Sequence, residues 1–117
     1  MSTIEQIRPA ALSGWLHAVA GEGVPQPVVL DVREPWEVQT ASVAPDGFRL
    51  VAIPMQEIPG RLAELDPGTP VACLCHHGAR SQRVAMFLQQ QGHAPVANLA
   101  GGIDAWSQER DPAVPRY

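Results

Sequence analysis

The sequence predicts an α/β domain built on a largely parallel, five-stranded sheet flanked by helices, and three observations lead there. Short β-rich runs alternate with helical patterns along the chain, which is the order that right-handed crossovers produce. The runs 27–32 and 70–75 are continuous apolar stretches, as expected of strands covered on both faces. A length of 117 residues suits one compact domain with a single core. The expected organisation is one domain over 1–117, with a core from about 4 to 108 and an extended tail over 109–117.

The elements follow in order. Ile4 to Ile7 reads as a short edge strand. Pro9 sits where a first helical turn tolerates proline, and Leu12, Trp15, Leu16 and Val19 follow at helical spacing until Gly21. Pro27-Val28-Val29-Leu30-Asp31-Val32 is a buried strand ending in a charge. Leu50 to Ile53 and Pro70 to Cys75 read the same way. Pro59 opens a helix presenting Leu62 and Leu65, and Pro67-Gly68 closes it. Val84, Ala85, Phe87 and Leu88 mark an amphipathic helix from Ala79 to Gln91 with Gly92 as its stop. Val96 to Leu99 is the last strand, and Gly101-Gly102 opens a short helix carrying Ile103 and Trp106.

Composition narrows the function. Hydrophobic residues make up 45% of the chain and its formal charge is -4. The charges are interspersed, and no basic stripe exists to neutralise phosphates, so nucleic acid is not an expected partner. No apolar run approaches a membrane span. The first residues, Met1 to Glu5, have neither a basic nor an apolar signal region. Two cysteines one residue apart, Cys73 and Cys75, make no disulfide framework. A reducing, cytoplasmic setting is therefore expected.

In parallel sheets, ligands bind beyond the carboxyl ends of the strands. Two such ends carry reactive residue types: Asp31-Val32-Arg33-Glu34 and Cys75-His76-His77-Gly78-Ala79-Arg80-Ser81. Cys75 closes a strand, and a helix begins about four residues later across a glycine-containing turn. Consecutive N–H groups in such a turn form an anion-binding nest, and the helix N-terminus adds partial positive charge. Arg80 adds a permanent cation with a planar fork of donors. All three favour thiolate over thiol, so Cys75 is the expected nucleophile, placed near the surface at its strand end. Cys73, two residues deeper on the same face, reads as core.

Other chemistries fit less well. Cys73, Cys75, His76 and His77 crowd one strand end and cannot wrap a tetrahedral metal, so no metal and no cofactor is expected. A thiol–imidazole pair needs a histidine facing the sulfur, which an adjacent one rarely achieves. His76 and His77 are expected to line the mouth of the loop, adding positive charge below about pH 6.5. His17 and His93 read as surface or loop residues. Arg33 is expected in a supporting ion pair with Glu34, Glu37 or Asp31, and Asp31 is expected to accept from backbone N–H groups. Trp36 fits the mouth of the site, the core or the surface equally well. Gly101, Gly102 and Trp106 are expected to shape a close turn and a core anchor.

These residues resemble a family. Cys75-His76-His77-Gly78-Ala79-Arg80-Ser81 looks like the active-site loop of rhodanese-homology domains. Asp31-Val32-Arg33-Glu34 with Glu37, Ile53-Pro54-Met55 with Leu62 and Leu65, and Leu99-Ala100-Gly101-Gly102-Ile103-Asp104-Ala105-Trp106 resemble three further markers, in the family's order. One departure is Ala41-Ser42-Val43-Ala44-Pro45-Asp46, which stands where relatives carry a His-Ile-x-Gly-Ala segment. The resemblance implies a three-layer rhodanese-like domain and a ping-pong sulfur transfer. Cys75 would take sulfane sulfur from a small sulfur-containing anion such as thiosulfate, hold it as a persulfide, and pass it to a thiol, cyanide or an acceptor protein. His76, His77, Gly78, Ala79, Arg80 and Ser81 would form the binding loop, with Arg80 orienting the donor's oxygens and Asp31 and Arg33 supporting it.

Three other functions compete; one, a non-catalytic interaction module of the kind in which rhodanese-like domains lack the cysteine, has no support where Cys75 stands with Gly78 and Arg80. Cysteine-dependent phosphatases resemble this fold, but their loop holds one residue more than the four between Cys75 and Arg80, and the smaller bowl suits a single sulfur. The tail Asp111-Pro112-Ala113-Val114-Pro115-Arg116-Tyr117 resembles the end of rhodanese domains fused to adenylyltransferases. That likeness implies a relay handing persulfide sulfur to a carrier protein.

Overall fold

A computed structural model describes residues 3–117, so Met1 and Ser2, part of the N-terminal reading above, lie outside the described residues. Five strands form one sheet: β1 (Glu5–Ile7), β2 (Val28–Asp31), β3 (Arg49–Ala52), β4 (Val71–Leu74) and β5 (Val96–Leu99). Their spatial order is β1-β5-β4-β2-β3, and every pairing is parallel. The helices are α1 (Leu12–Val19), α2 (Pro35–Thr40), α3 (Ala79–Gln90) and α4 (Gly102–Glu109).

Two apolar clusters, one on each face of the sheet, make the architecture three-layered. On one face Val84, Ala85 and Leu88 of α3 pack with Ile58 and Leu65 against Leu30, Cys73 and Cys75. On the other, Leu12 and Trp15 of α1 and Ile103 and Trp106 of α4 pack against Val29, Ala72, Leu74 and Leu99. Trp106 is the expected anchor, buried and edge-on to Phe48 at 5.9 Å. No helix among the described residues is long and apolar enough to cross a membrane.

The strand order positions the site. From β2 the chain steps outward to β3, then returns to β4 on the other side of β2 and continues to β5. The crevice therefore opens between the carboxyl ends of β2 and β4, where the direction of winding reverses. Asp31 pairs with Leu74 as the last register position, so the loops after both residues leave the same edge of the sheet.

Several elements differ from expectation. The run Leu50–Ile53 was expected to be buried on both faces, but β3 is an edge strand: Leu50 and Val51 are half-buried, and Arg49 and Ala52 are exposed. Its one neighbour is β2, which leaves its other side open. The segment from Pro59 is a 3-10 helix through Glu64, kinked at Arg61 (φ -117, ψ 15), not an α-helix. Six residues beginning Pro-Gly hold too little helical propensity to do more. Leu65 still buries and Leu62 half-buries as its spacing requires. Helix α2 was not expected at all, because six residues are too few to show an apolar period; Pro35 at its first turn is the signal that was there. His93 lies in a loop, as one of its two readings had it, but is buried, with Nδ1 lacking a partner among the described residues; burial pushes its imidazole below the usual range.

The tail has no regular structure after Glu109, yet it does not extend freely. Val114 is buried, its carbonyl accepting from Ser107 Oγ at 2.7 Å, and Arg116 reaches back to Asp104 at 2.9 Å. The chain thereby returns to the carboxyl edge of the sheet.

Candidate active site

Cys75 leaves the end of β4 and turns at once into the loop that precedes α3. Gly78 makes that turn possible. Its φ of 108° lies in the left-handed region, and a Cβ there would meet Gly101 N at 3.2 Å. The Gly78 N–H donates to Cys75 Sγ at 3.0 Å, and the Ser81 hydroxyl lies 3.2 Å from the same sulfur. Ser81 Oγ is also 2.6 Å from Asn98 Oδ1. A hydroxyl has one hydrogen: beside a thiol, which can itself donate, it serves the Asn98 oxygen, and beside a thiolate it can turn to the sulfur.

The rest of the loop is oriented from behind. The carbonyls of Cys75 and His76 accept from Ile103 N (2.9 Å) and Asp104 N (3.2 Å) in the first turn of α4. Across a planar trans peptide the N–H opposes the carbonyl, so the N–H groups of His76 and His77 face away from α4. This contact is close because residue 102 is glycine: a Cβ there would stand 2.4 Å from His76 O and 2.5 Å from Cys75 O. The Gly101-Gly102 turn is thus the expected close approach, and what it approaches is the cysteine loop.

The cysteine itself is not the surface group that its strand-end position suggested. Cys75 is 1% exposed and belongs to the apolar cluster on the α3 face of the sheet. Cys73 is fully buried on the same face, and burial pushes its thiol well above the usual range, with Cys75 adding to the shift. Both cysteines are free. Beside the loop on its β5 side runs an open groove of about 480 Å³, lined by Gln6, His77, Ala79, Gln82 and Arg83 among others.

Arg80 departs most from expectation. Its guanidinium is held in a fork by the Glu37 carboxylate of α2, Nη1–Oε1 at 2.7 Å and Nη2–Oε2 at 2.9 Å. Glu37 is buried and also accepts from the Glu34 N–H (3.1 Å) and the Tyr117 hydroxyl (2.7 Å). Arg80 foremost, then Tyr117 and the Glu34 N–H, hold its carboxyl down at about 2 against burial.

The second strand end forms a closed knot. Arg33 is 1% exposed. Its Nε and Nη2 take both oxygens of Asp31 at 2.9 and 2.7 Å, and its remaining N–H groups go to Glu37 O, Ala41 O and Tyr117 Oη. Burial opposes the Arg33 charge, but Asp31 and Tyr117 outweigh it and its pKa rises. Asp31 also accepts from the Arg33 N–H at 3.1 Å, the backbone role expected of it. Of the three carboxylates considered for Arg33, Asp31 is the partner.

His76 is sandwiched between His77 (3.9 Å) and the ring of Tyr117 (4.0 Å, 7° apart), and its Nε2 lies 2.8 Å from Tyr117 O. Trp36, 62% exposed, stands edge-on to Tyr117. The sequence reading missed Tyr117, Asn98 and the role of Glu37. Asn98 did leave a signal, as the one polar residue in the apolar run of β5; Tyr117 and Glu37 reach their partners only through the tertiary fold.

The family model described as the rhodanese-like domain matches residues 13–109. A sulfurtransferase of Allochromatium vinosum is 38% identical over 87 residues, covering 74% of this chain and 78% of its own length. The rhodanese-like/PpiC domain-containing protein 12 of Arabidopsis thaliana is 39% identical over 93 residues, covering 76% of this chain, which spans 30% of that longer protein. The crystal structure of a rhodanese-related protein from Thermoplasma volcanium superposes with a TM-score of 0.75 at 30% identity, over 97% of this chain and 99% of the other.

Proposed function

The chain belongs to the rhodanese-like family, and from that premise we propose that it is a sulfurtransferase working through a persulfide on Cys75. The observation that carries this reading is the Gly78 N–H on the Cys75 sulfur, with the Ser81 hydroxyl 3.2 Å away and able to turn to it, at the carboxyl end of a central strand. They stand where a negative sulfur needs them, as the donors of an oxyanion hole stand at an alkoxide.

The reaction runs in two halves. The Cys75 thiolate attacks the outer sulfur of thiosulfate or another sulfane donor; the donor's S–S bond breaks and sulfite, or the corresponding thiolate, leaves with the electron pair. Cys75 keeps the sulfur as a persulfide. A thiophilic acceptor, a thiol, cyanide or a protein, then attacks the terminal sulfur and releases Cys75. The loop 76–81 binds the transferred sulfur, with Gly78 setting the turn and Asp31 and Arg33 supporting it from below. A reducing, cytoplasmic setting suits two free thiols.

Intact-mass analysis after incubation with a sulfane donor tests the reading. A gain of one sulfur, removed by cyanide and absent in Cys75→Ala, is the expected result; no gain, or a gain that persists in Cys75→Ala, rules it out.

One observation favours a carrier protein as the acceptor. Trp36, exposed beside Tyr117 and the His76 stack, places an aromatic face next to the loop, of the kind protein interfaces use. Fast thiosulfate-to-cyanide turnover with no carrier protein accepting sulfur would remove this second reading and leave the first.

A further inference from the structure

We propose that Glu37 sets donor specificity: by neutralising Arg80 it tunes the Cys75 loop to organic persulfides rather than thiosulfate. The inference rests on the sulfurtransferase reading and names the substrate class for it.

The argument is an account of charge around the loop. Arg80 is the loop's own cation, and both of its terminal nitrogens face Glu37 oxygens. Glu37 cannot swing away without also leaving the Glu34 N–H and the Tyr117 hydroxyl, and its low pKa keeps it ionised across the working range. Two further arginines are matched as well, Arg33 by Asp31 and Arg116 by Asp104; Arg83 is not, but it lines the groove beside the loop and stands apart from the residues that meet the sulfur. His76 is enclosed by two rings, with Nε2 turned to Tyr117 O. What remains at the sulfur is the Gly78 N–H, the Ser81 hydroxyl and the partial charge of the α3 N-terminus, suited to about one negative charge.

Thiosulfate arrives as a dianion and leaves sulfite as a dianion, so its transfer needs cationic help that Glu37 has cancelled. An organic persulfide needs less. The Cys75 thiolate attacks the terminal sulfur of R–S–S–H; a new S–S bond forms on Cys75, the old one breaks, and R–S⁻ leaves with the electron pair. The proton stays on the transferred sulfur or passes to the leaving thiolate, and the reacting sulfurs together carry one negative charge throughout, any charge on R lying outside the loop. The groove beside the loop, about 480 Å³ with Gln6, Gln82 and the exposed Arg83 on its walls, gives a polar, carboxylate-bearing R group donors to bind. No salt bridge engages Arg83 among the described residues.

Single-turnover loading of Cys75, followed by intact mass with glutathione persulfide or thiosulfate as donor, tests the proposal. The wild-type protein should load from glutathione persulfide about 100-fold faster or more. Glu37→Gln should raise the thiosulfate rate about ten-fold or more, the scale of one charge-assisted contact, while the persulfide rate moves far less. Adding Arg80→Gln to that variant should cancel the gain. A merely structural role for Glu37 would move both donors together. Thiosulfate matching glutathione persulfide in the wild type, or a Glu37→Gln change equal for both donors, overturns the proposal. If Glu37→Gln fails to fold, the wild-type ratio decides. Loading from thiosulfate alone would sink only this inference, whereas loading from neither donor would sink the sulfurtransferase reading beneath it.

Discussion

The carboxyl ends of β2 and β4 lie side by side, and the chain has solved opposite problems at them. At β2 every N–H of Arg33 has an acceptor and both oxygens of Asp31 are taken; nothing is left over to bind anything. At β4 the backbone is held from behind by α4, with Cys75 O and His76 O engaged, and donors converge on a sulfur that carries no covalent partner. A saturated polar network stiffens a structure, whereas preorganised donors aimed at one atom stabilise the charge that forms there. Charged residues at a strand end therefore mark a site only where their hydrogen-bonding capacity is incomplete.

The largest effect should come from the open end. Cys75→Ser should abolish sulfur loading, because a hydroxyl is not a comparable nucleophile at neutral pH, and should leave the melting temperature nearly unchanged, because the Gly78 N–H and Ser81 hydroxyl that meet the sulfur can meet the new hydroxyl. Cys73→Ser, two residues deeper on the same strand, should retain measurable loading while losing stability, since it places a hydroxyl in the apolar cluster. Equal loss of loading in both variants would erase the distinction between the two cysteines.

The closed end should answer in stability instead. Arg33→Met strands a buried Asp31 carboxylate and leaves Ala41 O without its donor. Breaking a buried pair in this way typically costs about 3–5 kcal/mol, read as a shift of the urea midpoint. Sulfur loading per folded molecule should fall much less. A stable Arg33→Met protein that cannot load sulfur would move Arg33 from support into the chemistry.

How much of this was legible in the sequence follows the same division. The strands and the helices α1, α3 and α4 were visible because their apolar patterns are local, and Cys75, Gly78 and Gly102 stood out because a nucleophile before a turn and a paired glycine are local patterns too. What stayed hidden was set by partners far along the chain. Arg80 and Glu37 are 43 residues apart, and Tyr117 is 80 from Glu37. From the sequence, Arg80 reads as a free cation; only the packing of α2 and the return of the tail show it neutralised. The edge position of β3 was hidden likewise, because an apolar run does not report how many neighbours its strand will have.

The open end is oriented through Gly102, where α4 meets the cysteine loop. Gly102→Ala must displace the Cys75 and His76 carbonyls, 2.5 and 2.4 Å from the new Cβ, at a φ of 60°. The strain should cost roughly 1–3 kcal/mol and slow sulfur loading about ten-fold or more, because each displaced carbonyl turns its peptide N–H with it. Gly92→Ala is the control: its φ of 90° carries similar strain, but nothing lies within 4 Å of its Cβ, so it should lose stability and keep its loading rate. Equal rates for both variants would show that the contact with α4 does not orient the loop.

The smallest expected effect is the one that joins the two ends, and it is read by pH. Glu37 receives Arg80 from the open side and Tyr117, itself bonded to Arg33, from the closed side. Its carboxyl is ordinary when unfolded, near 4.5, and is held at about 2 when folded. A depressed acid contributes stability that is fully present above the unfolded value and is lost as pH falls toward the folded one. Glu37→Gln should therefore be less stable than the wild type by roughly 1–3 kcal/mol near neutrality, between the values for exposed and buried pairs. The gap should begin to close below about pH 4.5 and vanish only once the pH is below about 2. Urea midpoints for both proteins across that range measure it. A gap that stayed constant with pH would mean that the variant loses packing and not charge, and the two strand ends would then be neighbours without being coupled.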